Sequence, residues 1–374
     1  MRITYEMRRL EGLVSFTTGK LNSNAAKPDG KYPFYTCSQE TFLTDTWSFD
    51  GEYVLLAGNN AAGVYPLKYF VGKFDAYQRT YAIRTFNERS LLTRYLYYAL
   101  RPQMELLRSI STGAATKFLT LTLLNQTEIP VPPVSTQCKI ASILSAYDDL
   151  IGNNLRRIKI LEEMAQALYR EWFVKFRFPG HEKVRMVDSP LGKIPEGWEV
   201  VRLGERVELA YGRGLRKAER KPGDIPVFGS SGIVGYHSQS IADGPGIVVG
   251  RKGNVGTVFW SDTAFYPIDT VFYVKTDLPV HYVYYNLQHQ NFINNDAAVP
   301  GLNRNQAHSL PFIVPAKRLI DHFSESADLT SQQTSNLKSR VENLRQTRDL
   351  LLPKLISGEL DVSELDISIP EEAT

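Results

Sequence analysis

Ten residues between Ile140 and Trp172 step by alternating fours and threes: Ile140, Leu144, Tyr147, Ile151, Asn154, Ile158, Leu161, Ala165, Leu168 and Trp172. This alternation is the a/d seam of a coiled coil, and it obliges the chain to supply a second helix that covers it. A helix of roughly 30 residues rises about 45 Å at 1.5 Å per residue, farther than most small domains are wide, so the stretch from Ile140 to Phe178 is long enough to act as a spacer. Asn154 is a polar seam position, where a buried amide costs stability while fixing register and partner. Pro179-Gly180 is expected to stop the helix.

The same phase returns near the C-terminus in Phe323, Ala327, Thr330, Thr334, Leu337, Val341, Leu344, Arg348, Leu351 and Leu355, ending at Gly358. Alone, a helix with Thr330, Thr334 and Arg348 in its seam would be marginal in water. Its natural partner is the first helix. A single heptad run reads more readily as a core helix of a globular fold; the shared phase of two runs favours a pair.

What lies between the seams is a tandem duplication, and long repeats set a fold before any motif does. YEMRRLEGLV from Tyr5 sits over WEVVRLGERV from Trp198, and Gly19-Lys20 falls on Gly212-Arg213 in the same register. YPFY from Tyr32 falls on IPVF from Ile225, and Gly58 after VLLA falls on Gly250 after IVV. FDAYQRTYAIRT from Phe74 overlays FYPIDTVFYVKT from Phe265, RYLYYAL from Arg94 overlays HYVYYNL from His281, and IPVPP from Ile129 overlays FIVPA from Phe312. The chain therefore reads as strand-rich module, helix, strand-rich module, helix. Each module carries Val/Ile/Tyr/Phe runs bounded by Gly, Asn, Asp and Pro, the signature of strands and turns. Apolar residues at helical spacing predict a short helix around Leu91–Leu100 and another around Val280–Gln288. Pro179 to Gly197 reads as a joint between halves, and the tail after Asp361 as frayed. If the two helices pack side by side in opposite directions, the modules form a caliper.

A chain of 374 residues suggests two or three domains, and its 43% apolar and 22% charged fractions are ordinary for a soluble protein. A net charge of +3 permits a polyanionic partner without requiring one. The two cysteines, Cys37 and Cys138, make a disulfide frame or thiolate metal site unexpected and suit a reducing, cytoplasmic setting. No apolar run approaches the roughly 20 residues that span a bilayer, and no signal-peptide pattern opens the chain, so no membrane partner is expected.

Catalytic motifs fail on inspection. Gly19-Lys20 is followed by Leu21 and preceded by Val14 where a phosphate loop needs Ser/Thr and Gly, and Gly244 and Gly246 are followed by Val249 where a dinucleotide fold needs its third Gly. The six histidines show no paired-ligand spacing, and His181-Glu182 lacks its second His. Glu219-Arg220-Lys221 reads as a solvated charged turn. No catalytic or metal site is expected in this chain.

The loops are more informative. In the second module Gly250-Arg251-Lys252-Gly253-Asn254-Val255-Gly256 places two cations and an amide on a Gly-rich turn after a strand, and Asn303-Arg304-Asn305-Gln306 forms a second cluster. Counterparts in the first module are Gly58-Asn59-Asn60, Gln78-Arg79, and Ser111-Thr112-Gly113 through Thr116-Lys117. Glycines let backbone N–H groups approach phosphate, Arg and Lys neutralise it, and Asn or Arg can bond base edges bidentately. Singly, each is an ordinary polar turn. Offered at equivalent places by two modules, they make Asn59, Asn60, Gln78, Arg79, Thr116, Lys117, Arg251, Lys252, Asn254, Asn303, Arg304 and Asn305 candidate DNA-contacting residues.

At this point the layout resembles the specificity subunit of type I restriction–modification systems, over essentially the whole chain. The signatures are PVPPVSTQCKIASILSAYDDLIGNN leading into LRRIKILEEMAQALYREWFVKFRFPG, then LGKIPEGWEVVRLGE opening the second half and LLLPKLISGEL closing it. GRKGNVGTVFW and VPGLNRNQAHSLPFIVP look like that family's second target-recognition domain, and KFDAYQRTYAI and TGAATKFLTLTLL like its first. The resemblance implies a non-catalytic subunit in which two recognition domains each read half of a split, asymmetric sequence in double-stranded DNA. It further implies that two helical regions form an antiparallel coiled coil that sets the gap. A helix pair on the order of 45 Å suits readers placed one DNA turn, about 34 Å, apart. Two modification (methyltransferase) subunits, and through them ATP-driven restriction subunits, are the implied partners. S-adenosylmethionine, ATP and Mg²⁺ are expected on those partners, with no cofactor in this chain.

The resulting expectation is an α+β fold: two similar α/β target-recognition domains separated by an antiparallel two-helix coiled coil, with pseudo-two-fold symmetry. Expected boundaries are recognition domain 1 over 1–138, a central helix over 139–178, linker and recognition domain 2 over 179–318, a distal helix over 319–358 and a tail over 359–374. Ile151, Asn154, Ile158, Leu161, Leu168, Trp172, Leu337, Val341, Leu344 and Leu351 are expected at the coiled-coil or partner interface. The competing reading is an assembly scaffold held by its coiled coil, without direct DNA readout.

Overall fold

The structure, a computed structural model, describes residues 4–60, 63–111, 117–292 and 301–367. The chain divides into two compact units, one of Met1–Asn153 with Val341–Thr374 and one of Asn154–Arg340. Each long helix contributes to both, and the class is α+β, as expected.

In the first unit six strands lie in the order Val14–Thr18, Thr80–Thr85, Phe49–Ala57, Leu67–Ala76, Tyr32–Tyr35, Thr41–Thr44. Neighbours run antiparallel except Leu67–Ala76 and Tyr32–Tyr35, which are parallel with Phe34 opposite Asp75. Successive side chains of a strand point to opposite faces, and the central strand is covered on both. Val54 and Leu56 join Leu10, Tyr95, Leu96, Ile140 and Leu355 in one core. Leu55 instead joins Phe49 and Phe74 in a smaller aromatic cluster on the other face. Fully burying a side chain of this size contributes about 1.5–3 kcal/mol.

The second unit repeats this strand order with one break. Val207–Tyr211, Val271–Thr276, Gly246–Gly250 and Val258–Ser261 form one sheet; Tyr266–Pro267, Ile225–Gly229 and Gly232–His237 form another. Where Leu67–Ala76 is a single strand in the first unit, its counterpart is split. Val258–Ser261 pairs with Gly246–Gly250, while Tyr266–Pro267 makes the parallel pair, Val227 opposite Tyr266. Again Ile247 and Val249 face one core and Val248 the other.

Strand register corrects one detail of the sequence alignment. Ala57 lies opposite Thr80 and Gly250 opposite Val271, so Ala57 rather than Gly58 is the counterpart of Gly250. Arg251 then occupies the place of Gly58. The backbone bonds agree: Gly58 N–H donates to Arg79 and Arg251 N–H to Thr270, while Leu119 N–H donates to Gly58 and Leu302 N–H to Arg251. Identity of glycines misled the alignment because hydrogen-bond pairing, not side-chain type, sets register.

The short helices are Thr93–Leu100 and Val280–Gln288. Glu88 begins the first by accepting from Thr93 N–H at 2.9 Å and Thr93 Oγ1 at 2.6 Å, a carboxylate at the positive end of the helix. Each helix buries one tyrosine completely and hands its hydroxyl to a backbone carbonyl near the start of a long helix. Tyr95 donates to the Pro130 carbonyl at 2.9 Å and Tyr282 to the Ile313 carbonyl at 2.6 Å. Gln137 adds a buried tie in the first unit, accepting from Leu92 N–H and donating to the Ser90 and Pro132 carbonyls.

The long helices are Val134–Tyr169 and Lys317–Ile356. Within the first unit Asp148 meets Arg348; within the second Glu162 meets Lys338 and Tyr169 meets Phe323, so the helices run antiparallel. Along the expected seam Ile151, Ile158, Trp172, Leu337 and Val341 are buried, and Asn154, Leu161, Leu168, Leu344 and Leu351 half-buried.

Helix bounds differ from expectation: the first helix starts at Val134 rather than 139 and the second at Lys317 rather than 319. The first helix gives way at Arg170 to a π-turn, Arg170–Val174, before reaching Pro179, and Phe176 adopts a positive φ of 59°. The wider turn accompanies burial of Trp172 and Phe173, the latter with its ring 5.0 Å from Tyr282 and 5.2 Å from Phe323. Much of the expected joint is a hairpin, Met186–Ser189 against Gly192–Pro195. The second helix ends at Ile356, and Gly358 takes the left-handed conformation that closes it. Among the described residues no helix is long and apolar enough to cross a membrane.

Candidate nucleic-acid interface

In the second module the strand Gly246–Gly250 runs into a tight loop whose shape depends on glycine. A Cβ on Gly250 would lie 2.0 Å from the Asn254 carbonyl oxygen, and Gly253 and Gly256 have φ of +79° and +76°. Gly250 N–H donates to the Thr257 carbonyl and Gly256 N–H to the Gly250 carbonyl, closing the loop on itself. The Asn254 carbonyl also accepts from Thr257 Oγ1 at 2.8 Å; the Asn254 side chain is exposed.

This closure positions Arg251. Its Nη1 donates to the Asp269 carbonyl at 2.9 Å, and its guanidinium carbon lies 4.9 Å from the centroid of the Tyr211 ring. Arg304, more than fifty residues further along the chain, lies over the same ring at 4.8 Å. A tyrosine face attracts a cation, by about 0.5–1 kcal/mol where exposed. Tyr211 is 49% exposed, and among the described residues neither arginine pairs with a carboxylate. Lys252 Nζ stands 4.0 Å from Asp269, and its backbone bridges to Gly301.

Asn303 and Asn305 differ in role. Asn303 caps the helix Arg304–Ser309, its Oδ1 accepting from the N–H groups of Asn305 at 2.9 Å and Gln306 at 3.3 Å. That side chain is spent on local structure. Asn305 is exposed on the first turn. From the same helix His308 accepts from Leu209 N–H through Nε2 at 3.1 Å, which requires the neutral ring. Burial, then the Arg304 guanidinium, holds His308 below its ordinary pKa, against a pull from Glu208.

The first module gathers a different set. Asn59–Asn60 pairs with Lys117–Phe118 as a short ribbon, Asn59 opposite Phe118 and Asn60 opposite Lys117. The Asn59 Oδ1 accepts from Cys37 Sγ at 3.0 Å. Arg79 is exposed, its guanidinium 5.7 Å from the Phe118 ring. Gln78 is exposed beside it, its N–H donating to the Leu21 carbonyl. Thr116 lies outside the described residues, as do Thr112 and Gly113.

Register shows how the two surfaces differ. Tyr211, Arg251 and Arg304 correspond to Thr18, Gly58 and Leu121, while Arg79 and Phe118 correspond to Thr270 and Gly301. Each module thus carries a cation–ring pair on the same edge, assembled from positions that are not equivalent. Sequence reasoning found the cations and missed the rings, Tyr211 and Phe118. Their only signal was an aromatic residue ending a strand, since each ring comes from a stretch remote from its cation.

Gly212 recurs as Gly19 for a structural reason: a Cβ would lie 2.1 Å from the Ile268 carbonyl in one module and 1.8 Å from the Ala76 carbonyl in the other. Among the described residues no group of three or more His, Cys, Asp or Glu is placed to hold a metal ion.

Comparison with known proteins agrees with this layout. The family model for the Type I restriction modification DNA specificity domain matches residues 2–163 and again 195–334. The chain is 24% identical, over 96% of its length and 89% of the relative's, to the Type I restriction enzyme EcoDI specificity subunit of Escherichia coli. It is 27% identical, over 74% of its length and 71% of the relative's, to the Type I restriction enzyme MjaIX specificity subunit of Methanocaldococcus jannaschii. The crystal structure of a type I restriction-modification system S subunit from M. genitalium shares the fold, with a TM-score of 0.66 at 19% identity, covering 95% of this chain and 96% of that one. With both of its modules matched by the family model, this chain belongs to the type I restriction–modification DNA specificity family.

Proposed function

We propose that this chain is the DNA sequence-recognition subunit of a type I restriction–modification complex. Each module applies its loop surface to one half of a split target. The long helices supply the spacing between half-sites and hold two modification subunits, through which restriction subunits join. Methyl transfer and cleavage, with their S-adenosylmethionine, ATP and Mg²⁺, belong to those partner chains.

The observation that carries this reading is the pair of cation–ring surfaces on matching edges of two modules with the same strand order. Repetition of the scaffold gives two readers, and the unlike residues give them different chemistry, as an asymmetric target needs. The test is to express the chain with its modification subunits and map N6-methyladenine in the DNA. Replacing residues 1–138 with the matching segment of a relative should change one half of the methylated sequence and leave the other intact. An unchanged sequence would sink the reading and favour a scaffold without DNA readout.

A further inference from the structure

We propose that Tyr211 holds Arg251 and Arg304 as a guanine-reading pair, so that the half-site read by the second module contains guanines that depend on this ring. The inference rests on the DNA-reading function proposed above and adds the base class, the positioning residue and the half-site concerned.

Orientation favours base reading over a phosphate contact. A phosphate contact needs charge and little else, whereas reading a base edge needs a guanidinium held in a fixed plane. Both arginines are half-buried, and both lie over the Tyr211 ring within 4.9 Å of its centroid. Arg251 is held further by its Nη1 bond to the Asp269 carbonyl, which leaves Nε and Nη2 without a partner among the described residues. Two donors on one side of a fixed guanidinium match the paired O6 and N7 acceptors of guanine in the major groove.

Charge points the same way. Two guanidiniums beside one ring repel each other, and among the described residues no carboxylate pairs with either. The ring offsets part of this cost, and an electronegative base edge would offset the rest. Sharing one ring puts the two groups no more than about 10 Å apart, which is roughly three base-pair steps of 3.4 Å. The guanines concerned therefore lie within about three base pairs of each other. Thr18, Gly58 and Leu121 at the matching places exclude the same device from the first module.

The experiment uses the chain assembled with its modification subunits and compares methylation maps for the unaltered chain, Tyr211→Leu and Tyr211→Phe. Tyr211→Leu is expected to relax selectivity at one or two G·C pairs in one half-site, by roughly five- to hundred-fold. Tyr211→Phe keeps the ring and should keep the selectivity. Arg251→Gln and Arg304→Gln should relax the same pairs, and the unaltered complex should methylate oligonucleotides with 7-deazaguanine there less well than the guanine oligonucleotides, because the N7 acceptor is gone. Relaxation at A·T pairs, a uniform loss across both half-sites, or unchanged selectivity in Tyr211→Leu would each overturn the proposal while leaving DNA reading in place. If exchange of the whole second module leaves the methylated sequence unchanged, DNA reading by that module fails, and this proposal with it.

Discussion

Arg348 of the second long helix donates from Nη1 to Oδ1 of Asp148 on the first, at 2.5 Å. The other oxygen of Asp148 accepts from the Tyr98 hydroxyl at 2.8 Å, and Arg101 stands 4.0 Å away. A seam position that reads as a flaw in the heptad pattern is thus a paired charge, tying both long helices to the short helix Thr93–Leu100. Burial first, and then Asp148, pushes the Tyr98 hydroxyl far above its ordinary pKa, so it stays a donor at any working pH.

Removing Arg348 alone should therefore cost more than removing the pair. The side chains of Arg348 and Asp148 are 12% and 28% exposed, so Arg348→Met is expected to lower unfolding free energy by about 1–3 kcal/mol, below the 3–5 typical of a wholly buried pair. Asp148→Leu combined with Arg348→Met should recover part of that loss. Urea unfolding of the two variants beside the unaltered chain decides it, and equal losses in the single and double variants would exclude the ion pair as the cause.

The two buried tyrosines make a matched test of the duplication. Tyr95→Phe and Tyr282→Phe each delete one hydroxyl bonded to a carbonyl while leaving the ring in place. Each should cost about 1 kcal/mol, the usual net value of such a bond. Thermal unfolding should show similar losses for the two; a large loss in one and none in the other would mean that the two hydroxyls, though placed alike, do not carry equal weight.

How much of this was legible in the sequence depends on the range of the interaction. Seam periodicity is local, and both long helices and their burial pattern follow from it. The presence of two like strand-rich modules followed from the repeated Val/Ile/Tyr/Phe runs because a duplicated pattern folds twice, whereas strand order is set by long-range pairing that no run discloses. Register was misjudged at Gly58 and Gly250, since a one-residue slip is decided by cross-strand bonds such as Leu119 N–H to Gly58 and Leu302 N–H to Arg251. The π-turn after Tyr169 depends on rings from Tyr282 and Phe323, far away in sequence. Tyr211 was missed for the same reason, its cations being supplied by two distant loops.

His308 links pH to the candidate interface. Its folded pKa lies below the ordinary 6.5, so the unfolded chain binds the proton more readily. The stability that the neutral ring supplies through Leu209 N–H is therefore fully present above about 6.5 and is lost as pH falls toward the folded value. An NMR titration of the imidazole should place the midpoint below 6.5. Arg304→Gln removes one of the two lowering causes and should move the midpoint upward; no movement would mean that burial alone sets it.

The first module supplies the reciprocal test. Arg79 lies over Phe118, and the matching residues of the second module, Thr270 and Gly301, form no such pair. Arg79→Gln removes the cation, and Phe118→Leu removes the face that orients it, a contact worth about 0.5–1 kcal/mol at an exposed site. Both should weaken selectivity in one half-site of the methylated sequence, Phe118→Leu by roughly two- to five-fold and Arg79→Gln by more. The affected half should be the one that Tyr211→Leu leaves intact. Because the two pairs are built from non-equivalent positions, Arg79→Gln combined with Arg251→Gln should lose selectivity in both halves, each by the amount of its single variant. Effects of the two single variants on the same half-site would show that the modules do not read separately.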